Sequence, residues 1–146
     1  MNYRKTAHSI YDLKYHIVWI TKYRKPILSG AIGKRVRELI RQTSASLDVY
    51  IVKGHISKDH VHLLVSVPPK LSVSEMVKRL KGRSSRKMLE DYGELRQALW
   101  GRHMWARGCF AASTGNVTDE IIAEYNENQK LKAPDEQDQD FSVEEL

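Results

Sequence analysis

Cysteine is nearly absent. Cys109 stands alone among 146 residues, which excludes an internal disulfide and a multi-cysteine zinc site. No apolar run approaches the roughly 18 residues that a membrane-spanning helix needs, and the opening MNYRKTAHSIYDL lacks the apolar core of a secretory signal. The chain is therefore read as cytoplasmic. With 41% hydrophobic and 29% charged residues, wholesale disorder and collagen-like or mucin-like architectures are also excluded. The length suits one domain with enough chain to bury a core.

Charge of one sign is missing from one stretch. Residues 133–146 (APDEQDQDFSVEEL) hold six acidic side chains and no Lys or Arg. Setting them aside leaves 24 basic residues against 12 acidic in 1–132, a body of net charge +12. Such a body attracts polyanions, nucleic acid first among them. The expected organisation is a single domain over 1–132 followed by an acidic, disordered tail over 133–146.

Residues 1–14 are polar without a clear period and read as an arm. Tyr15-His16-Ile17-Val18-Trp19-Ile20 is β-branched and aromatic, as a buried strand requires. Ile32, Val36, Leu39, Ile40 and Leu47 fall at helical spacing. Tyr50–Ser57 and His60–Val67 read as a hairpin about a tight turn at Lys58-Asp59, and Pro68-Pro69 ends it. Ser72 or Ser74 then caps a second helix carrying Val73, Met76, Val77 and Leu80, with Gly82 a place where it can bend. A helical turn near Leu95–Trp100 precedes a last strand over Met104–Ala112, and Thr118 opens a third helix to about Lys132. The order βαββαβ predicts an α+β, ferredoxin-like (RRM-like) sandwich: an antiparallel four-stranded sheet with two helices on one face, plus an added C-terminal helix.

His60-Val61-His62 is the sharpest local signal. On a strand, 60, 62, 64 and 66 share one face, while Val61, Leu63, Val65 and Val67 share the other and need a core. Both imidazoles then lie on the open face, where they can hold one divalent ion or serve simply as two polar residues on a solvated surface. In the last helix Tyr125 and Gln129 stand a turn apart on one side. Tyr125 there can dock into a core, but Gln129 fits such a stripe poorly, and its carbonyl oxygen suits a hard cation. His16, His55 and His103 read as structural residues, His8 as part of the arm, and Cys109 as a small apolar strand residue.

Over residues 13 to 130 the chain resembles the single-tyrosine HUH transposases of small bacterial and archaeal insertion sequences. The resemblance rests on Tyr15-His16-Ile17-Val18-Trp19 with Lys22-Tyr23-Arg24, and on Asp59-His60-Val61-His62-Leu63 with Val67-Pro68-Pro69-Lys70. It continues in Leu80-Lys81-Gly82-Arg83-Ser84-Ser85, in Trp105-Ala106-Arg107-Gly108, and in Tyr125 with Gln129. Thr21 stands where such proteins often have proline, and Met104 and Cys109 where aromatics are common.

The resemblance implies a metal-dependent transesterase that cuts and rejoins single-stranded DNA without ATP, excising and inserting an insertion sequence. It makes His60, His62 and Gln129 the ligands of a Mg²⁺ or Mn²⁺ ion, and Tyr125 the nucleophile that forms a 5′-phosphotyrosine link. It also implies hairpin-ended single-stranded DNA as the partner and a homodimer as the working form. Lys78, Arg79, Lys81, Arg83 and Arg107 are the candidate contacts to the DNA backbone, with Lys22, Tyr23 and Arg24 next. The alternatives are a domesticated HUH endonuclease acting on genomic repeats, or a non-catalytic RRM-like nucleic-acid-binding module.

Overall fold

A computed structural model describes residues 3–101 and 103–114, together with the backbone of 139–141. Strands β1 (Arg4–Lys5) and β2 (Ile10–Tyr11) form a small antiparallel hairpin. The main sheet contains β3 (Lys14–Ile20), β4 (Tyr50–Ser57), β5 (His60–Ser66), β6 (Phe110–Ser113) and β7 (Gln139–Phe141). Their order is β6-β3-β5-β4-β7, with every neighbouring pair antiparallel. Helix α1 (Gly30–Ser46) joins β3 to β4, and α2 (Val73–Asp91) with α3 (Gly93–Leu99) joins β5 to β6. This is the expected ferredoxin-like sandwich.

The core follows from strand alternation. Ile17 and Trp19 of β3, Val61, Leu63 and Val65 of β5, and Ile51 and Ile56 of β4 share one cluster with Val36, Leu39 and Ile40 of α1 and Met76, Leu80 and Met88 of α2. Each is essentially inaccessible to solvent, and this burial is the main favourable contribution to folding. The Ser72 Oγ accepts from the Glu75 N–H at 3.0 Å, so Ser72 rather than Ser74 caps α2. Gly82 neither ends nor interrupts that helix, whose backbone hydrogen bonds run on to Asp91.

Two segments differ from the sequence reading. The last strand of the motif starts at Phe110, not Met104. Residues 104–109 instead form a loop, pinned by an isolated bridge between Thr21 and Trp105 and turned at Gly108, whose φ of 82° leaves the extended region. Cys109 accordingly lies outside the strand and is exposed. Within the tail read as disordered, Gln139–Phe141 pairs with the β4 edge at Gly54–Ile56 and makes a fifth strand. The third helix expected from Thr118 lies outside the described residues. No described helix is long and apolar enough to cross a membrane.

The arm is also more ordered than its polarity suggests, because one side chain fastens it. Arg4 Nη1 donates to the Ser66 carbonyl at 2.9 Å, and Nη2 donates to the Asp48 carbonyl at 2.9 Å and its Oδ1 at 3.0 Å. The guanidinium also lies 3.6 Å from the Tyr50 ring centroid. Arg4→Ala is expected to lower unfolding free energy by about 2 kcal/mol, since it strands several acceptors at once. Urea denaturation checks this, and an unchanged midpoint would mean that the arm is not fastened there.

Candidate active site

The two histidines of β5 lie on the sheet face away from the helices, with Val61, Leu63 and Val65 between them filling the opposite face. The open face is less open than its sequence suggests. His60 is buried at 3% exposure, and His62 is half-buried.

A carboxylate holds His60. Its Nδ1 lies 3.0 Å from Asp59 Oδ1, while Arg24 Nη2 donates to Asp59 Oδ2 at 3.2 Å. An ionised carboxylate can only accept, so Nδ1 is the donor to Asp59 and Nε2 is the nitrogen left to face another partner. This is the arrangement by which a carboxylate orients a ligating imidazole. The strain of the turn at Lys22–Arg24 belongs to the same device. Tyr23 (φ 59°) and Arg24 (φ 52°) both adopt left-handed backbone, which brings the Arg24 guanidinium back onto Asp59.

Two further imidazoles join the pair. His16 Nδ1 lies 3.3 Å from His62 Nε2, and the His55 ring centroid lies 6.3 Å from that of His60. His55 Nε2 is 3.0 Å from Ser57 Oγ. Burial, and then the proximity of His16, His60 and His55, push the His62 pKa down from 6.5 to about 4. His62 is therefore neutral at neutral pH, with a lone pair to offer a cation. His16 and His55 had read as structural, yet the turn at Lys58-Asp59 places His55 directly opposite His62. That pairing was available from the hairpin register. The approach of His16 was not, because it depends on the long-range pairing of β3 with β5.

Among the described residues, no three His, Cys, Asp or Glu side chains stand where they could hold a metal ion together. His60 and His62 offer two nitrogen donors on one face, so a third protein donor has to come from elsewhere. Tyr125 and Gln129 lie outside the described residues.

The basic residues divide sharply. Lys81 Nζ donates to the carbonyls of Ala106 and Gly108 at 2.8 and 2.9 Å, and Arg24 is turned onto Asp59. Both are committed to internal partners, where the sequence had offered them as DNA contacts. Lys78, Arg79 and Arg83 lie on the exposed side of α2, with Arg79 paired to Glu75 at 2.9 Å. Arg107 and Tyr23 are exposed, and the Lys22 ammonium sits 5.1 Å from the Tyr23 ring centroid.

The block Leu80–Ser85 acts as a clamp. Trp105 Nε1 donates to Ser84 Oγ at 2.9 Å, and the Met104 N–H donates to Ser85 Oγ at 2.9 Å. With the Lys81 contacts, α2 grips residues 104–108 and fixes the loop beside the Thr21 turn. Lys81→Met is expected to cost about 1–2 kcal/mol of stability while leaving the salt dependence of DNA binding unchanged. A lowered salt slope at full stability would instead place Lys81 on the DNA.

A family model described as "Transposase IS200 like" matches residues 9–129, a span that includes both histidines and the positions of Tyr125 and Gln129. The chain belongs to the IS200-like transposase family. It is 32% identical over 129 residues to the ISDra2 transposase TnpA of Deinococcus radiodurans, covering 88% of this chain and 92% of that protein. It is 34% identical over 118 residues to the transposase for insertion sequence element IS200 of Salmonella typhimurium, covering 81% and 78%. A crystal structure from Deinococcus radiodurans R1 superposes with a TM-score of 0.78 at 30% identity, over 86% of this chain and 97% of that one. The REP-associated tyrosine transposase bound to a REP hairpin shares the fold, with a TM-score of 0.54 and 11% identity over 83% and 67% of the two chains. This member of the IS200-like family is thus a DNA transposase of the single-tyrosine HUH type, acting on single-stranded DNA.

Proposed function

We propose that this transposase cuts and rejoins single-stranded DNA through a covalent tyrosine link, with Tyr125 as nucleophile and His60, His62 and Gln129 as ligands of a Mg²⁺ or Mn²⁺ ion. The observation that carries this reading is the pair of imidazoles on one sheet face, one fixed in orientation by Asp59 and the other kept neutral by burial. Neutral, oriented imidazoles are donors for a divalent cation. Such a cation, when bound, supplies charge stabilisation at a non-bridging oxygen of the scissile phosphate.

Tyr125 starts with a phenolic pKa near 10 and must lose its proton as it attacks. Its oxygen forms a bond to phosphorus in line with the departing 3′ oxygen, which takes up a proton and leaves as a 3′ hydroxyl. The 5′ phosphate stays on the tyrosine. Because one phosphodiester replaces another, a new 3′ hydroxyl can reverse the step and rejoin the strand without ATP. A hairpin-ended substrate and a homodimer belong to the same reading.

Incubation with labelled single-stranded DNA carrying the ends of the element, with and without Mg²⁺ or Mn²⁺, tests this. A metal-dependent, protease-sensitive adduct is the expected product. DNA binding that needs no metal and leaves no adduct would indicate a non-catalytic module.

A further inference from the structure

Two cavities, of about 420 and 520 Å³, lie between α2 and residues Gly101, His103 and Trp105–Arg107. They share Gly82, Ser85 and His103 and so form one trough, in the size range of sites that enclose small ligands. Arg86 and Arg96 border one part, and Lys22, Arg107 and Lys81, whose ammonium is taken up by the Ala106 and Gly108 carbonyls, border the other. Glu90 is the one carboxylate among the described lining residues, and it already lies 3.7 Å from Lys87. Arg96 gives one nitrogen to the Leu89 carbonyl at 2.6 Å, but Arg86 and Arg107 are exposed.

The floor of the trough is Gly82, where an added Cβ would meet nothing within 4 Å. Glycine thus keeps the helix surface low at the point where the two cavities meet. Next in the chain to Gly101, which lines the trough, Trp100 is 81% exposed and caps the C-terminus of α3 in left-handed backbone at φ 53°. A large ring displayed to solvent from a disfavoured conformation calls for a partner. A Cβ at Gly101 would lie 3.7 Å from Lys22 Nζ.

The trough also opens near the histidines. The Thr21 N–H donates to the Asp59 carbonyl at 3.0 Å, Lys22 N–H to Met104 at 2.9 Å and Ala106 N–H to Ile20 at 2.9 Å. The turn at 22–24, the 58–59 turn and the 104–106 loop therefore converge at the end of the sheet that carries His60.

We infer that this trough is a second nucleic-acid site, which holds the single strand flanking the scissile phosphate: Trp100 stacks on a base, and Arg86 and Arg107 pair with phosphates. It rests on the single-stranded DNA reading above and extends it to residues outside the histidine face. An aromatic ring beside a basic groove is the arrangement by which an unpaired strand is held whatever its sequence. Glycine at the floor lets the backbone of the strand lie close to α2.

Tryptophan fluorescence reads this directly. Of the three tryptophans, Trp19 is fully buried and Trp105 is 6% exposed, so iodide quenching reports Trp100. Saturating single-stranded DNA, without added metal, is expected to shield Trp100 from iodide. Trp100→Ala should weaken binding by about tenfold, whereas Trp100→Phe should stay within about threefold of wild type. Arg86→Gln should reduce the slope of log affinity against log salt by about 0.7. Trp100→Gly, which relieves the left-handed strain, should melt higher than wild type yet bind DNA less well, separating the site from folding. Bound DNA that leaves Trp100 fully open to iodide, or Trp100→Ala binding as wild type does, overturns the inference. Adduct formation in parallel samples with Mg²⁺ or Mn²⁺ added keeps the two readings apart. An adduct with Trp100 unshielded leaves the chemistry standing without this site, and shielding without an adduct does the reverse.

Discussion

Tyr125→Phe is expected to abolish the covalent DNA adduct while leaving affinity for single-stranded DNA within about twofold of wild type. The substitution removes one oxygen, and that oxygen is the atom proposed to bond phosphorus. No neighbouring group can substitute for it without taking up the same line of attack. Removing a nucleophile from a catalytic set has been worth about 10⁴-fold or more in rate, so the adduct should fall below detection in gel assays that resolve one part in a thousand. The substitution removes a single oxygen atom, so stability should change by less than about 1 kcal/mol. If Tyr125→Phe forms adduct at the wild-type rate, another tyrosine is the nucleophile, and exposed Tyr23 is the first to test.

The second large effect is expected at the imidazole pair, and the two positions differ in what else they disturb. His62→Ala should remove metal-dependent cleavage and weaken Mn²⁺ binding by at least the 10–100-fold seen when a ligating shell is disturbed. It should cost little stability, because His62 is only half-buried and its burial already works against its charged form. His60→Ala should lose the same activity and also destabilise the fold by about 1–3 kcal/mol, since the carboxylate of Asp59, 7% exposed, would lose its His60 partner. Calorimetric titration with Mn²⁺ and thermal melts separate the two losses. Cleavage by His62→Ala at the wild-type rate and wild-type metal dependence would remove the imidazole pair from the mechanism.

Strand parity made much of this site legible before any coordinates. Once Val61, Leu63 and Val65 are assigned to the core, His60 and His62 have to share the other face. The turn at Lys58-Asp59 then fixes the partner of His62 as His55. The clamp was harder to read. Lys81, Ser84 and Ser85 sit on one helix, and their partners at 104–108 are about twenty residues away in a loop without periodicity. A lysine in a basic stretch looks like a DNA contact whether its ammonium meets phosphate or a carbonyl, and only the path of the loop distinguishes the two. Arg24 carries the same ambiguity, resolved by two left-handed residues that no hydrophobic pattern records. The last strand began late for a similar reason: apolar Met104 and Trp105 enter the core from a loop, bonded to Ser85 and Ser84 of α2, rather than from a strand.

By itself, the sequence determined the βαββαβ order of the two-layer sandwich and the face on which the paired histidines lie, and its separated motifs carried the family resemblance. The order and the face follow from alternation, helical spacing and turn residues, all of which act over a few neighbouring positions. Only the tertiary structure decided that Asp59 and Arg24 orient His60, that His16 meets His62, that the Lys81 ammonium reaches the 106–108 loop, and that Arg86 and Arg107 border one trough. Each of those depends on long-range pairing, where a side chain's partner is set by how strands and loops converge rather than by its own neighbours in the chain.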